Sequence, residues 1–173
     1  MRGSDVADFT SFVQARSAAL FRTALLLTGE RHAADDLVQS TLEQICRHWR
    51  RVRSADVPEA YARRILVNLA NDRWRRQRRH AEASLRDDAG GEQLDPYRGV
   101  DTRDELMRTL QSLPTGMRTV LVLRYFEELS DAEIAGLMNT SATTVRSQAS
   151  RGLAKLRSAA DRNTHHTPSG GAA

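Results

Sequence analysis

Residues 130–157, SDAEIAGLMNTSATTVRSQASRGLAKLR, constrain this chain more than any other stretch, because they spell two short helices around a tight turn. Ser130 followed by Glu133 is a capping-box pattern, and Ile134, Leu137 and Met138 then keep helical spacing. Asn139 closes that helix, since Asn tolerates the left-handed backbone that commonly ends one, and Ser141 is placed to cap the next. The second helix is predicted to bury Val145, Ala149, Leu153 and Leu156 and to expose Arg146, Arg151, Lys155 and Arg157, with no acid anywhere from residue 141 to residue 158. Such a pair is a helix-turn-helix, whose second helix is sized for the major groove. An ordinary helical hairpin with a solvated basic face is the plainer account. The acid-free face, and the small Ala135 and Gly136 near the expected crossing, favour DNA.

The chain of 173 residues has room for one compact domain or two small ones, and its 40% hydrophobic and 28% charged content is ordinary for a soluble globular protein. A formal charge of +4 hides an uneven distribution of 25 arginines and one lysine. Biased codon usage accounts for most of that ratio, but not for its placement. Residues 47–79 hold eleven arginines against Asp56, Glu59 and Asp72, whereas residues 82–105 hold eight acids against three arginines. The first block points to an anionic partner and the second to a segment that phosphate repels or that mimics phosphate. Cys46 is the only cysteine, which rules out an intramolecular disulfide and a multi-cysteine metal site and fits a reducing compartment. The N-terminal apolar stretches are broken by Arg16 and Arg22, so neither a membrane span nor an export signal is expected, and a cytoplasmic protein is.

Taken in order, residues 5–28 carry Phe9, Phe12, Val13, Leu20, Ala24 and Leu27 at helical spacing, with Gly29 as the stop. Residues 33–50 make a second helix with an apolar stripe of Val38, Leu42, Ile45 and Trp49 beside a polar face of Asp36, Gln39, Ser40, Glu43 and Arg47. Residues 51–57 read as a polar break, and Pro58 starts a third helix running to about residue 79. Its inner side is predicted to be Tyr61, Ile65, Leu69 and Trp74, flanked by Ala62 and Leu66. Its other side offers Arg63, Arg64, Asn68, Asn71, Asp72, Arg75 and Arg76. Arginines hold phosphates and amides can meet base edges, so this face suits a nucleic-acid strand, with Trp49 and Trp74 read as core.

Residues 81–101 lose the apolar period and read as a flexible acidic linker, whose extended reach of about 70 Å corresponds to about twenty base pairs of duplex. A helix resumes at residues 102–112, capped by Thr102 and Glu105, and Pro114 separates it from another over residues 115–127. The run from Val120 to Leu123 has no second strand pattern to pair with and is read as helix. The tail from Asp161 is predicted to be disordered, and its His165 and His166 lack a second ligand pair, so no metal or other cofactor is expected. An all-α chain follows, with two small helical domains at residues 5–80 and 102–160, a linker at 81–101 and a tail at 161–173.

Four segments together carry a family resemblance: DDLVQSTLEQI at residues 35–45, PEAYARRILVNLANDRWRRQRR at 58–79, LPTGMRTVLVLRYFEELS at 113–130 and EIAGLMNTSATTVRSQASRGLAKL at 133–156. In that order the chain resembles a bacterial sigma factor of the extracytoplasmic-function group, group IV of the sigma-70 family, over about residues 9–157. The resemblance implies a promoter-melting domain first and a helix-turn-helix domain second. Departures are small: Asn139 stands where the family usually has Gly, Tyr61 where many members carry Trp, and Ser150 at a variable position of the recognition helix.

By the same resemblance Asp36, Gln39 and Glu43 match the segment that grips the coiled-coil clamp of core RNA polymerase, and their acids suit a basic partner. Arg63, Arg64, Asn68, Asn71 and Asp72 match the part that engages the minus-ten element, with Arg75 and Arg76 extending that face and residues 51–57 near an extruded non-template base. Arg146, Ser147, Ser150 and Arg151 match recognition-helix positions facing the minus-thirty-five element. The implied partners are core RNA polymerase, duplex and melted promoter DNA and, as is frequent in the family, an anti-sigma protein. A stand-alone helix-turn-helix regulator is the second reading, and it leaves the basic third helix and the linker without a role. An enzyme using Cys46 with His32 or His48 fares worst, because residues two apart on a helix face apart.

Overall fold

The computed structural model describes residues 3–84 and 102–164, and every regular element among them is helical. The elements are α1 (Gly3–Thr28), α2 (Arg31–Arg47), α3 (Trp49–Arg53), α4 (Pro58–Ser84), α5 (Thr102–Ser112), α6 (Thr115–Leu121), a π-turn (Val122–Phe126), α7 (Asp131–Met138) and α8 (Ala142–Thr164). They form two compact units, residues 1–102 and 103–173.

In the first unit α1, α2 and α4 pack together around Leu27, Ala34, Ile45, Leu66 and Val67, all with essentially no exposed surface. Gly29 stops α1 in the left-handed region at φ 76°, a conformation that glycine adopts without a Cβ clash. Glu30 then caps α2, accepting from the backbone N–H groups of His32 and Ala33 at 2.7 Å each. Those two hydrogen bonds hold its carboxyl below the usual glutamate range. The cap moves the start of α2 ahead of the expected residue 33.

The expected polar break at residues 51–57 is shorter than its composition suggests. Residues 51–53 belong to α3, because Val52 is completely buried and Trp49, 4% exposed, packs at 5.3 Å and 5.4 Å between ring centroids from Phe9 and Phe12. On α4 the buried line is Ala62, Leu66, Val67 and Ala70, with Tyr61, Ile65, Leu69 and Trp74 half-buried beside it. The expected stripe is therefore turned by one residue, or about 100°. Three elements, α1, α2 and α3, meet α4, and the centre of its inner face lies where they converge. The same helix runs through Ser84, past the expected start of the linker, whose residues 85–101 lie outside the described ones.

In the second unit α6 and α7 pack on α8. Four consecutive buried residues, Val120 to Leu123, are more than one stripe of a straight helix can turn inward, and the chain widens into a π-turn at Val122 instead of continuing as α-helix to residue 127. Arg118, only 9% exposed, closes α5 by donating from Nη2 to the carbonyls of Gln111 at 2.8 Å and Leu113 at 3.1 Å. Burial pushes its pKa below the ordinary arginine value. The expected Thr102 cap of α5 involves a side chain outside the described ones. Helix α8 continues to Thr164, so the first four residues of the expected disordered tail are helical, while residues 165–173, with both histidines, lie outside the described residues.

The close approach in this unit is at Gly152 rather than Gly136. A Cβ at Gly152 would sit 2.9 Å from Leu121 Cδ1, itself 4% exposed, while one at Gly136 would meet nothing within 4 Å. Two opposite outcomes follow for the same substitution. Gly136→Ala gains about 0.5–1 kcal/mol of helix stability. Gly152→Ala forces Leu121 out of place at a cost of about 1–3 kcal/mol, and net stability falls. Urea unfolding of the full chain checks both, and a stabilised Gly152→Ala would show that α6 and α8 are not closely packed there.

Candidate functional site

The polar face of α2 is built by burial of its opposite side. Ala34, Leu37, Val38, Thr41 and Ile45 point inward, which leaves Asp36, Gln39 and Glu43 exposed on successive turns. Gln39 Nε2 donates to Glu43 Oε1 at 3.3 Å, and Asp36 Oδ2 lies 3.7 Å from an Nη of Arg73 on α4. All three expected residues share one acidic, solvent-facing surface.

On α4 the exposed line is Arg64, Asn68, Asp72, Arg75 and Arg76, while Arg63 and Asn71 are half-buried at its edges. Asp72 is engaged within the helix, with its Oδ1 3.6 Å from Arg75 and its carbonyl accepting from Arg76 Nε at 3.3 Å. Between α2 and α4 runs a shallow groove of about 330 Å³, with Leu37 and Leu69 as apolar lining and Ser40, Arg73, Arg76, Gln77 and His80 as polar lining. Ahead of α4, residues 54–57 leave the helix and Val57 is 55% exposed.

A further set of charges holds α3 in place, and the sequence reading missed it. Asp5, 4% exposed, lies 3.1 Å from Arg53 and 3.8 Å from Arg50, and Arg53 also meets Asp8 at 2.9 Å. These pairs span more than forty residues of sequence, so no local pattern reveals them.

In the second unit the expected local chemistry is present. Ser130 Oγ accepts from the Glu133 N–H at 3.3 Å while Glu133 Oε2 accepts from the Ser130 N–H at 2.8 Å, and Asn139 turns the chain at φ 51°, ψ 52°. Ser141 Oγ caps α8 through the Thr144 N–H at 3.1 Å. Val145 and Ala149 are buried, Leu153 and Leu156 half-buried, and Arg146, Ser147, Ser150 and Arg151 form one exposed stripe on α8. Arg151 folds back on Ser147, donating from Nη2 to its Oγ at 3.0 Å. Although α8 has no acid near these residues, α7 brings Asp131 to 4.0 Å from Arg146, a neighbour that the acid-free stretch of sequence did not suggest.

No group of three or more metal-ligating side chains occurs among the described residues, and no described helix is long and apolar enough to cross a membrane.

Comparison with known proteins gives the same division. Residues 12–80 match the model of sigma-70 region 2, and residues 103–156 that of sigma-70 region 4. The RNA polymerase sigma-E factor of Streptomyces coelicolor is 32% identical over 159 residues, covering 88% of this chain and 86% of that protein. The sigma-E factor of Streptomyces avermitilis is 33% identical over 164 residues, covering 91% and 87%. The ECF RNA polymerase sigma factor SigW of Bacillus subtilis is 30% identical, covering 86% and 87%. Among solved structures, the sigma factor RpoE in complex with the anti-sigma factor NepR from Bartonella quintana shares the fold at a TM-score of 0.72 and 21% identity, covering 89% of this chain and 97% of that one. The structure of CnrH in complex with the cytosolic domain of CnrY matches at 0.57 with 25% identity, covering 89% and 88%. Two matched sigma regions in the right order, with relatives aligned over nearly the whole chain, place this protein in the extracytoplasmic-function group of the sigma-70 family of RNA polymerase sigma factors.

Proposed function

We propose that this chain joins core RNA polymerase through the acidic face of α2 and directs it to promoters through α4 and α8. The observation that carries the reading is the presence of sigma regions 2 and 4 on one chain, each with its polar face turned outward. A stand-alone regulator needs only the helix-turn-helix, and leaves region 2 unexplained. On this reading residues 5–80 melt and hold the minus-ten region, residues 81–101 link, residues 102–160 read the minus-thirty-five region, and residues 161–173 form a tail. An anti-sigma protein completes the proposed partners, and no catalytic step is assigned to the chain.

The chemistry follows from the side chains. Asp36 and Glu43 present carboxylates to a basic polymerase surface, with Gln39 between them. The stripe of Arg64, Asn68, Arg75 and Arg76, with Arg63, Asn71 and Asp72, tracks a nucleic-acid backbone and offers amides to unpaired bases. Extruding a base costs on the order of a few kcal/mol in stacking, which binding to the single strand and to polymerase must offset. On α8, Arg146 sits early enough in the recognition helix to reach base edges, with Ser147, Ser150 and Arg151 alongside.

Charge reversal of both Asp36 and Glu43 to Arg is expected to abolish association with core polymerase while helical circular dichroism persists, since both side chains are exposed. A pull-down of core polymerase without DNA reads this directly, and retained binding would remove α2 from the interface. Two arginine sets should then separate by the shape of their loss. Arg146→Ala costs the holoenzyme about 1–3 kcal/mol and relaxes preference at one or two positions of the minus-thirty-five box. Neutralising Arg75 or Arg76 weakens all promoters alike and lowers the salt slope by about one. Holoenzyme affinities for a panel of single-base variants at several salt concentrations measure both, and a uniform loss for Arg146→Ala would make it a phosphate contact.

A further inference from the structure

Asp131 opens α7, yet its carboxylate reaches beyond that helix. Oδ1 lies 3.3 Å from Nη1 of Arg124, and Oδ2 lies 4.0 Å from Nη1 of Arg146. The other arm of the Arg146 fork is engaged as well, with Nη2 donating to Thr143 Oγ1 at 3.2 Å. Arg146 is a long side chain with 59% of its surface exposed, and such a side chain would ordinarily sample many rotamers. Here one nitrogen donates to a hydroxyl in the first turn of α8 and another lies at ion-pair distance from a carboxylate of α7, while more than half of the side chain's surface stays open to solvent.

A guanidinium carries five N–H donors in a planar fork, and a bidentate contact with guanine uses two of them. Donors are therefore left over for a carboxylate and a hydroxyl while a base is being read. Orienting the fork before binding reduces the side-chain freedom that DNA would otherwise have to restrict. The negative charge has a second effect. A carboxylate close to Arg146 opposes approach of a phosphate, so the pair weakens sequence-independent attraction and leaves the directional contact with a base edge. Arg124, on the other carboxylate oxygen, compensates part of that charge without removing it.

We infer that Asp131, together with Thr143, is a positioning residue for sequence reading by Arg146: it aims the guanidinium at one base of the minus-thirty-five element and disfavours its use as a phosphate clamp. The inference rests on the assignment of Arg146 to base reading proposed above. It assigns specificity to a residue outside the recognition helix, one that need not touch DNA itself.

The test measures base preference, which a purely structural role would leave unchanged. Holoenzyme is assembled with the full chain carrying Asp131→Asn, Thr143→Val, Arg146→Ala, or Asp131→Asn with Arg146→Ala, and its affinity is measured for all four bases at each minus-thirty-five position. At the position where Arg146→Ala relaxes preference, Asp131→Asn is expected to lower the ratio of preferred to other bases by about fivefold or more. Thr143→Val shifts the same ratio in the same direction, and Asp131→Asn adds nothing when Arg146 is already Ala. Urea midpoints of the free variants are read in parallel, and Thr143→Val, an exposed change, keeps the test decisive if Asp131→Asn destabilises α7. If Arg146→Ala relaxes preference while neither Asp131→Asn nor Thr143→Val does, the positioning role is overturned, whatever happens to absolute affinity. If Arg146→Ala itself leaves preference unchanged, the base-reading assignment falls, and the positioning role falls with it.

Discussion

Both units depend on one constraint: a helical unit of about 100 residues or fewer has little apolar surface to bury, so the apolar line of each packed helix is committed to the core. In the first unit this fixes which face of each helix is left for partners. Ala34, Leu37, Val38 and Ile45 on α2 and Ala62, Leu66, Val67 and Ala70 on α4 are committed to the core, and the acidic face of one helix and the basic face of the other are what remains. In the second unit the same constraint brings α8 so close to Leu121 that a Cβ at residue 152 would lie 2.9 Å from its Cδ1. The stripe of Arg146, Ser147, Ser150 and Arg151 is directed outward by Val145, Ala149 and Gly152 being directed in.

Local chemistry was legible in the sequence, and long-range chemistry was not. The capping box at Ser130, the left-handed Asn139 and the Ser141 cap all involve partners within about four residues, and each appears where residue type and spacing put it. That most of the proposed binding residues lie on the outward side of a periodic helix was legible for a related reason, while their roles came from the family resemblance alone. The inner face of α4 was misplaced by one residue because the pattern shows only that an apolar side exists. Which line of that side is deepest is decided by where α1, α2 and α3 meet it. Glu30 as a cap, Arg118 closing α5, Asp5 holding Arg53 and Asp131 beside Arg146 each need a tertiary neighbour or an unusual residue in a familiar role.

Arginine serves two ends in this chain, and its burial separates them. Arg118 is nearly enclosed and donates from Nη2 to two backbone carbonyls, so it belongs to the framework of the second unit. Arg53 is half-exposed but meets the buried carboxylate of Asp5, which ties α3 and the segment after it to α1. Arg75, Arg76 and Arg151 are exposed, and their internal partners are weak or local. Exposed pairs contribute typically about 0–1 kcal/mol, so DNA phosphates or bases can replace them at small cost. The arginines available for binding are those that the fold does not need.

The same reasoning links the two faces of the first unit. Asp36, on the proposed polymerase face, lies 3.7 Å from Arg73, which lines the groove beside Arg76, Gln77 and His80 on α4. Both side chains are substantially exposed, at 67% and 37%, so the pair is weak enough for a cation on a partner to displace Arg73 from the carboxylate. One carboxylate of α2 is thus shared between an internal cation on α4 and the outward surface proposed for a partner.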